Sequence, residues 1–164
     1  MATENKNLSN YDKSILPNIK SLRFALVVSE WNQDITEALY KGAYSTLIDC
    51  GAQEEKIDKL SVPGSFELIY GCKKMSEWYG KGSYHAIIAI GSVIKGETQH
   101  FEFVCEGVTQ GIKDLNVHGE TPVIFCVLTD NNKQQSLDRS GGKHGNKGVE
   151  AAIAAIKMAT LKLA

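Results

Sequence analysis

The sequence predicts an α/β fold: a four-stranded parallel sheet between two layers of helices, a three-layer αβα sandwich. Three observations predict it. Short unbroken apolar runs rich in β-branched residues recur along the chain, and such runs suit strands buried on both faces, as in parallel sheets. Amphipathic segments of helical period lie between them, giving the order βαβαβαβαα, in which a helix crosses between successive strands. A length of 164 residues, 43% of them hydrophobic, is enough for one real core and too little for two comfortable ones.

Residues 1–20 are polar and aperiodic and read as a flexible N-terminal arm ahead of a single domain over 21–164. The first strand is the run 24–28, FALVV. Ile35, Ala38, Leu39, Gly42, Ala43, Thr46 and Leu47 then keep helical spacing behind Asp34, the expected N-cap. The more polar run 57–62 suits an edge strand. A second helix is expected over 64–79, with Pro63 at its start, where a missing N–H costs nothing. The run 86–90, AIIAI, is the third strand, and Phe101, Val104, Cys105, Val108, Ile112 and Leu115 mark one face of the next helix. The fourth strand is 123–128. A short helix follows Thr129 and Asp130, and Val149, Ala152, Ile153, Ile156 and Leu163 mark the last one.

Charge and cysteine usage exclude several classes. With 18 basic and 19 acidic residues the net charge is -1, which leaves no footprint for nucleic acid or an anionic membrane. No apolar run approaches the roughly 20 residues that span a bilayer. The opening MATENKNLSNYDKS has no apolar signal region, so the cytoplasm is the expected compartment. Cys50, Cys72, Cys105 and Cys126 lie far apart, without a C-x-x-C pair or paired histidines, and read as small buried hydrophobes rather than metal ligands.

Ligands of open parallel sheets bind beyond the carboxyl ends of the strands, which selects four segments. In the first, SEWN at 29–32, Trp31 is an aromatic in a polar setting; it either stacks on a planar ring or caps the helix behind it. In VPGSFE at 62–67, Phe66 and Glu67 are expected in the first helical turn, where a carboxylate gains from the helix dipole and can accept hydrogen bonds from ligand hydroxyls or amides. The richest is GSVIKGETQH at 91–100: glycines for close backbone approach, a helix start suited to an anion, and His100 in the first turn, able to exchange a proton near pH 7. His85, His118 and His144 lack such company. From Thr129 onward, the basic, Gly-rich stretch 138–148 fails both the Walker and the G-x-G-x-x-G patterns, but Arg139 remains a candidate bidentate phosphate clamp.

These segments, with PVIF at 122–125 and GNKG at 145–148, occur in an order that resembles the lumazine synthase family over about residues 22–163. The resemblance implies a flavodoxin-like sheet of order 2-1-3-4 and a condensation of 5-amino-6-(D-ribitylamino)uracil with 3,4-dihydroxy-2-butanone 4-phosphate, without metal or cofactor. It implies roles residue by residue. Trp31, Ser65, Phe66, Glu67, Ser92, Val93, Ile94 and Phe125 bind the pyrimidine and its ribityl chain. Glu97, Thr98 and Arg139 hold the phosphate, Lys147 adds charge nearby, and His100 is the proton donor and acceptor. Lys95 stands where many relatives have Arg, keeping the charge.

It further implies two small-molecule substrates and a homopentamer, with Phe125 and Arg139 supplied by a neighbouring subunit. The run 141–148 without an insertion matches variants that build shells of sixty subunits, for which riboflavin synthase is an associated partner. Two rivals remain at the level of sequence: a flavodoxin-like flavin-binding module, and a shell protein that has lost catalysis. Intact Trp31, Glu67, His100 and Arg139 weigh against the second.

Overall fold

Alternation along apolar strands divides the core into two halves. The computed structural model describes residues 7–161 apart from Tyr79 and Lys81. Its main sheet contains β1 (Phe24–Ser29), β2 (Ile57–Val62), β3 (Ala86–Ile94) and β4 (Val123–Asp130), all parallel, in the order β2-β1-β3-β4. This is the expected 2-1-3-4 sandwich. Phe24, Leu26, Val28, Ile88, Ile90, Cys126 and Leu128 fall in one cluster, with α1 (Gln33–Asp49) and α5 (Lys147–Ala159) packed on it. Ala25, Val27, Ile87, Ala89, Val123 and Val127 form the other, covered by α2 (Leu68–Ser76) and α3 (His100–His118). Each large aliphatic side chain so buried stabilises by roughly 1.5–3 kcal/mol. Central β1 is buried along its whole length, while β2, on the edge, keeps its polar residues half-buried or exposed.

Element boundaries move where tertiary contacts outweigh local propensity. Gly91 and Ser92, expected in a turn, extend β3: they pair with Val127 and Leu128, and the register continues to Ile94 opposite Asp130. A ladder partner satisfies the backbone better than a turn would. The second helix begins at Leu68 rather than 64. Residues 63–67 form a bend in which the Leu68 N–H donates to the Ser65 carbonyl at 3.3 Å, so Phe66 and Glu67 precede the helix instead of lying in its first turn. It ends at Ser76, and Tyr79 lies outside the described residues.

The N-cap of α1 is Asn32, not Asp34. Asn32 adopts the left-handed conformation (φ 57°), which asparagine tolerates, and its carbonyl accepts the Ile35 and Thr36 N–H groups at 2.9 and 3.0 Å. Asp34 sits inside the first turn, where a hydrogen bond from Lys133 at 2.7 Å holds its carboxyl below the usual range.

The Gly-rich stretch after α4 (Lys133–Arg139) folds into a short hairpin of β5 (Ser140–Gly142) and β6 (Gly145–Asn146). The Asn146 side chain then caps α5, accepting the Gly148 N–H at 2.8 Å. Leu163, expected on the last helix, lies outside the described residues. Of the arm, Leu8 donates its N–H to the His144 carbonyl (2.9 Å), Tyr11 and Lys13 both reach Asp49, and Ile19 is fully buried in the α1/α5 half of the core.

At the amino ends of the strands, Asp58 accepts from the Tyr84 hydroxyl (2.8 Å) and pairs with Arg23, whose guanidinium also lies over the Tyr84 ring. His85 Nδ1 accepts the Arg23 N–H there, a structural use of that histidine. All four cysteines are free thiols. Burial pushes Cys126 up to about 12 and Cys72 upward as well, so both are inert hydrophobes as expected.

Helices α1 and α5 touch backbone to backbone at Gly148, where an added Cβ would lie 2.0 Å from the Leu39 carbonyl oxygen. Gly148→Ala is expected to cost about 2 kcal/mol or more, because backbone cannot yield as a side chain does. A fall in the urea midpoint at unchanged m-value is the readout.

Candidate active site

The strand rim positions the cleft. Beyond the carboxyl ends of β1, β2 and β3 lies a cleft of about 720 Å³. On one wall the left-handed turn at Asn32 carries Trp31, whose side chain is 71% exposed, an arrangement suited to stacking on a ligand ring. The Asn32 amide donates to the Ser92 carbonyl at 3.0 Å, tying this turn to β3. Opposite stands Phe66, 52% exposed; its ring lies against Gly107 of α3, where a Cβ would come within 2.7 Å of it.

Between these aromatics the lining is apolar except for a few aimed groups. Ser65 and Ser92 are buried, and their hydroxyls have no hydrogen-bond partner among the described residues. A buried unpaired hydroxyl is costly unless something else takes it, and a polar ligand in the cleft is the natural candidate. Val93 and Ile94, half-buried at the end of β3, continue the wall. Exposed Glu67 stands at the amino end of α2 with a carboxylate oxygen over Gly64, available to ligand donors.

The loop 95–99 closes the cleft toward α3. Gly96, Thr98 and His100 line it, and His100, the first residue of α3, presents an exposed imidazole. Its backbone N–H approaches Thr98 Oγ1 at 3.4 Å. Unpaired amides at a helix start favour an anion there. Glu97 lies in the same loop, exposed, but outside the cleft lining. Lys95 is engaged with Glu102 at 3.3 Å, and Glu102's carboxyl is held below its usual range, first by its own backbone amide and then by Lys95.

Three expected site residues gather elsewhere. Phe125, Arg139 and Lys147 line a smaller hollow of about 290 Å³ with Leu8, Val127, Leu128, Thr129 and Asp130, along edge strand β4. Arg139 Nη1 donates to the Gln135 carbonyl at 3.0 Å, and Lys147 pairs with Glu150 at 2.7 Å. The chain therefore carries an aromatic and polar cleft at one place and a cationic hollow at another. Sequence reasoning assigned no role to Asn32 or Phe103, both of which line the cleft. Phe103 and Val104 stand three and four residues after His100, so helical spacing alone could have placed them on its face.

Fold and cleft together define the class: a three-layer α/β enzyme with its site beyond the carboxyl ends of parallel strands. Within that class the chain belongs to the 6,7-dimethyl-8-ribityllumazine synthase family, whose profile matches residues 21–163. A protein of Flavobacterium johnsoniae named 6,7-dimethyl-8-ribityllumazine synthase is 67% identical over 162 residues, covering 99% of this chain and 84% of the relative. Proteins of the same name from Christiangramia forsetii and Porphyromonas gingivalis are 65% and 50% identical, each over 99% of this chain and over 95% and 99% of their own lengths.

The Phe66 ring needs Gly107 bare. Gly107→Ala is expected to displace it and weaken binding of a uracil-type ring by up to about tenfold, the scale of one aromatic contact. Quenching of Trp31 fluorescence on titration measures this, while the urea midpoint should hardly move.

Proposed function

We propose that this chain condenses 5-amino-6-(D-ribitylamino)uracil with 3,4-dihydroxy-2-butanone 4-phosphate to give 6,7-dimethyl-8-ribityllumazine, the penultimate step of riboflavin biosynthesis. The observation that carries this reading is the family match over 21–163, in a chain whose cleft joins Trp31, Phe66, two unpaired serine hydroxyls and His100. The flavin-binding alternative is not favoured, since relatives matching nearly the whole chain bear the synthase name.

Residue roles follow from place and chemistry. Trp31 and Phe66 sandwich the pyrimidine, Ser65 and Ser92 take its polar edge, Glu67 accepts from the ribityl chain, and Val93 and Ile94 complete the wall. Thr98 and Glu97, through the amides of their loop, receive the phosphate beside the α3 start. The 5-amino nitrogen attacks the ketone carbon; the carbinolamine loses water to an imine. Loss of the proton on the neighbouring carbinol carbon expels inorganic phosphate with its C–O electron pair; the resulting enol becomes a ketone, which the ribityl nitrogen attacks to close the ring with loss of a second water. Each step moves protons between nitrogen, carbon and oxygen, work that suits one imidazole and calls for no redox cofactor. Holding the two substrates in contact is the larger contribution, roughly 7–11 kcal/mol in the best cases.

The cationic hollow completes the site from a second copy. Phe125, Arg139 and Lys147 lie apart from the cleft within one chain, which supports a homo-oligomer in which one subunit's hollow faces its neighbour's cleft. We take the ring to be a pentamer, and the uninterrupted 141–148 hairpin fits assembly of pentamers into a sixty-subunit shell associating with riboflavin synthase. Sedimentation velocity separates ring from shell. No helix of the described residues is long and apolar enough to cross a membrane, and four free thiols suit a reducing compartment, so the cytoplasm is the proposed location.

The direct test mixes both substrates with protein and follows lumazine fluorescence; a rate no faster than the uncatalysed reaction would sink the assignment. His100→Ala is expected to lower kcat by about 10²-fold while leaving it above background, because orientation survives. Co-assembling His100→Ala with Arg139→Ala subunits should restore about a quarter of the sites, those that draw each group from an intact subunit. No gain over either variant alone would place all the groups in one chain.

A further inference from the structure

Binding of the substrate phosphate by Arg139, the role that the family resemblance implies, requires that its guanidinium be aimed, and the end of β4 holds the means. Asp130 is the last residue of that strand and is only 8% exposed. Its backbone is fixed by pairing with Ile94 and by the Lys95 N–H, which donates to its carbonyl at 2.9 Å. Its side chain is fixed as well: Oδ2 accepts the hydroxyl of Ser136, a fully buried residue of α4, at 2.8 Å. The other oxygen, Oδ1, faces Arg139 Nη1 at 3.8 Å, and the same Nη1 donates to the Gln135 carbonyl one turn back.

Two physical points follow. A carboxylate this buried is stable only with its partners in place, so Asp130 draws on both the Ser136 hydroxyl and the Arg139 charge. A guanidinium is a planar fork of five donors, and a bidentate oxyanion contact uses two parallel N–H groups along one edge. Among the described residues, the polar contacts of Arg139 both fall on Nη1. They leave the edge made of Nε and Nη2 whole.

We propose that Asp130, locked by Ser136, is a positioning residue for substrate phosphate: it draws the Nη1 corner of Arg139 back to the protein so that the Nε–Nη2 edge meets the phosphate of the four-carbon substrate. This rests on the reading that Arg139 binds that phosphate. Arginine has several rotatable bonds, and a side chain aimed in advance does not have to be ordered when ligand arrives. The carboxylate also repels a dianion, but the guanidinium stands between them, and the phosphate on its far edge is more distant from Asp130 than Nη1 is. Aiming therefore outweighs repulsion.

The experiment is steady-state kinetics with each substrate varied in turn. Asp130→Asn keeps the size and the acceptor for Ser136 while removing the charge. It should raise KM for the butanone phosphate roughly fivefold and leave kcat and the pyrimidine KM within about twofold. Ser136→Ala, which frees Oδ2, should shift the same KM in the same direction by less; it carries the test if the asparagine variant does not fold. In an Arg139→Lys background neither change should raise KM further, since an ammonium has no edge to present.

A phosphate-substrate KM that stays level or falls in both single variants overturns the proposal. So does an equal loss in both backgrounds, or a joint fall in kcat and in both affinities, which marks plain structural damage. The underlying reading fails separately: if Arg139→Lys binds the butanone phosphate as the unchanged protein does, Arg139 is not its ligand and Asp130 has nothing to aim. If Arg139→Lys weakens that substrate and Asp130→Asn does not, only the positioning role is lost.

Discussion

Burial of both faces of the parallel sheet is the constraint on which the rest of this structure depends. Once Phe24–Ser29 must lie between helices on either side, with strands to left and right, the carboxyl ends of β1, β2 and β3 are forced onto one rim. The loops leaving that rim are the segments of this region free to be polar. Trp31, Ser65 and the 95–99 loop converge there because the core admits no other direction. The cleft is thus a by-product of packing that the chain has lined with chemistry.

The lining departs from what stability alone would select. Ser65 and Ser92 are buried with hydroxyls unpartnered among the described residues, and Trp31 and Phe66 are large aromatics left in solvent. Each is unfavourable for the chain alone, and departures of this kind concentrate at functional sites. Rigid supports surround these residues. Asn32 binds the Trp31 turn to β3, and Gly107 seats the Phe66 ring against α3. The cationic hollow is handled in the opposite way. There Arg139 and Lys147 rest on Gln135, Asp130 and Glu150, so the protein itself already restrains their charges.

Much of this was legible in the residues. Unbroken apolar runs disclosed three of the four strands, the polar 57–62 run disclosed the edge, and the order of segments pointed to the 2-1-3-4 sheet and the family. Boundaries were less legible. Gly91 and Ser92 have turn chemistry, yet they continue β3 because β4 offers a backbone ladder there. Asp34 has cap chemistry, yet Lys133, far along the chain, claims it and leaves the cap to Asn32. Local propensity is weak beside a contact that arrives from elsewhere in the chain.

What the sequence by itself determined is therefore the fold class and, through its motifs, the family whose likeness carries the 2-1-3-4 order, because periodicity and short motifs are local and survive without coordinates. The tertiary structure alone decided which of the expected site residues share a cavity. Phe125, Arg139 and Lys147 are named beside His100 by motif, but edge strand β4, the end of α4 and the start of α5 carry them to a separate hollow. It alone set Asp130 against both Ser136 and Arg139, since a strand end and a helix face meet only when the sheet is built. Distance along the chain does not reveal which groups share a cavity; packing does.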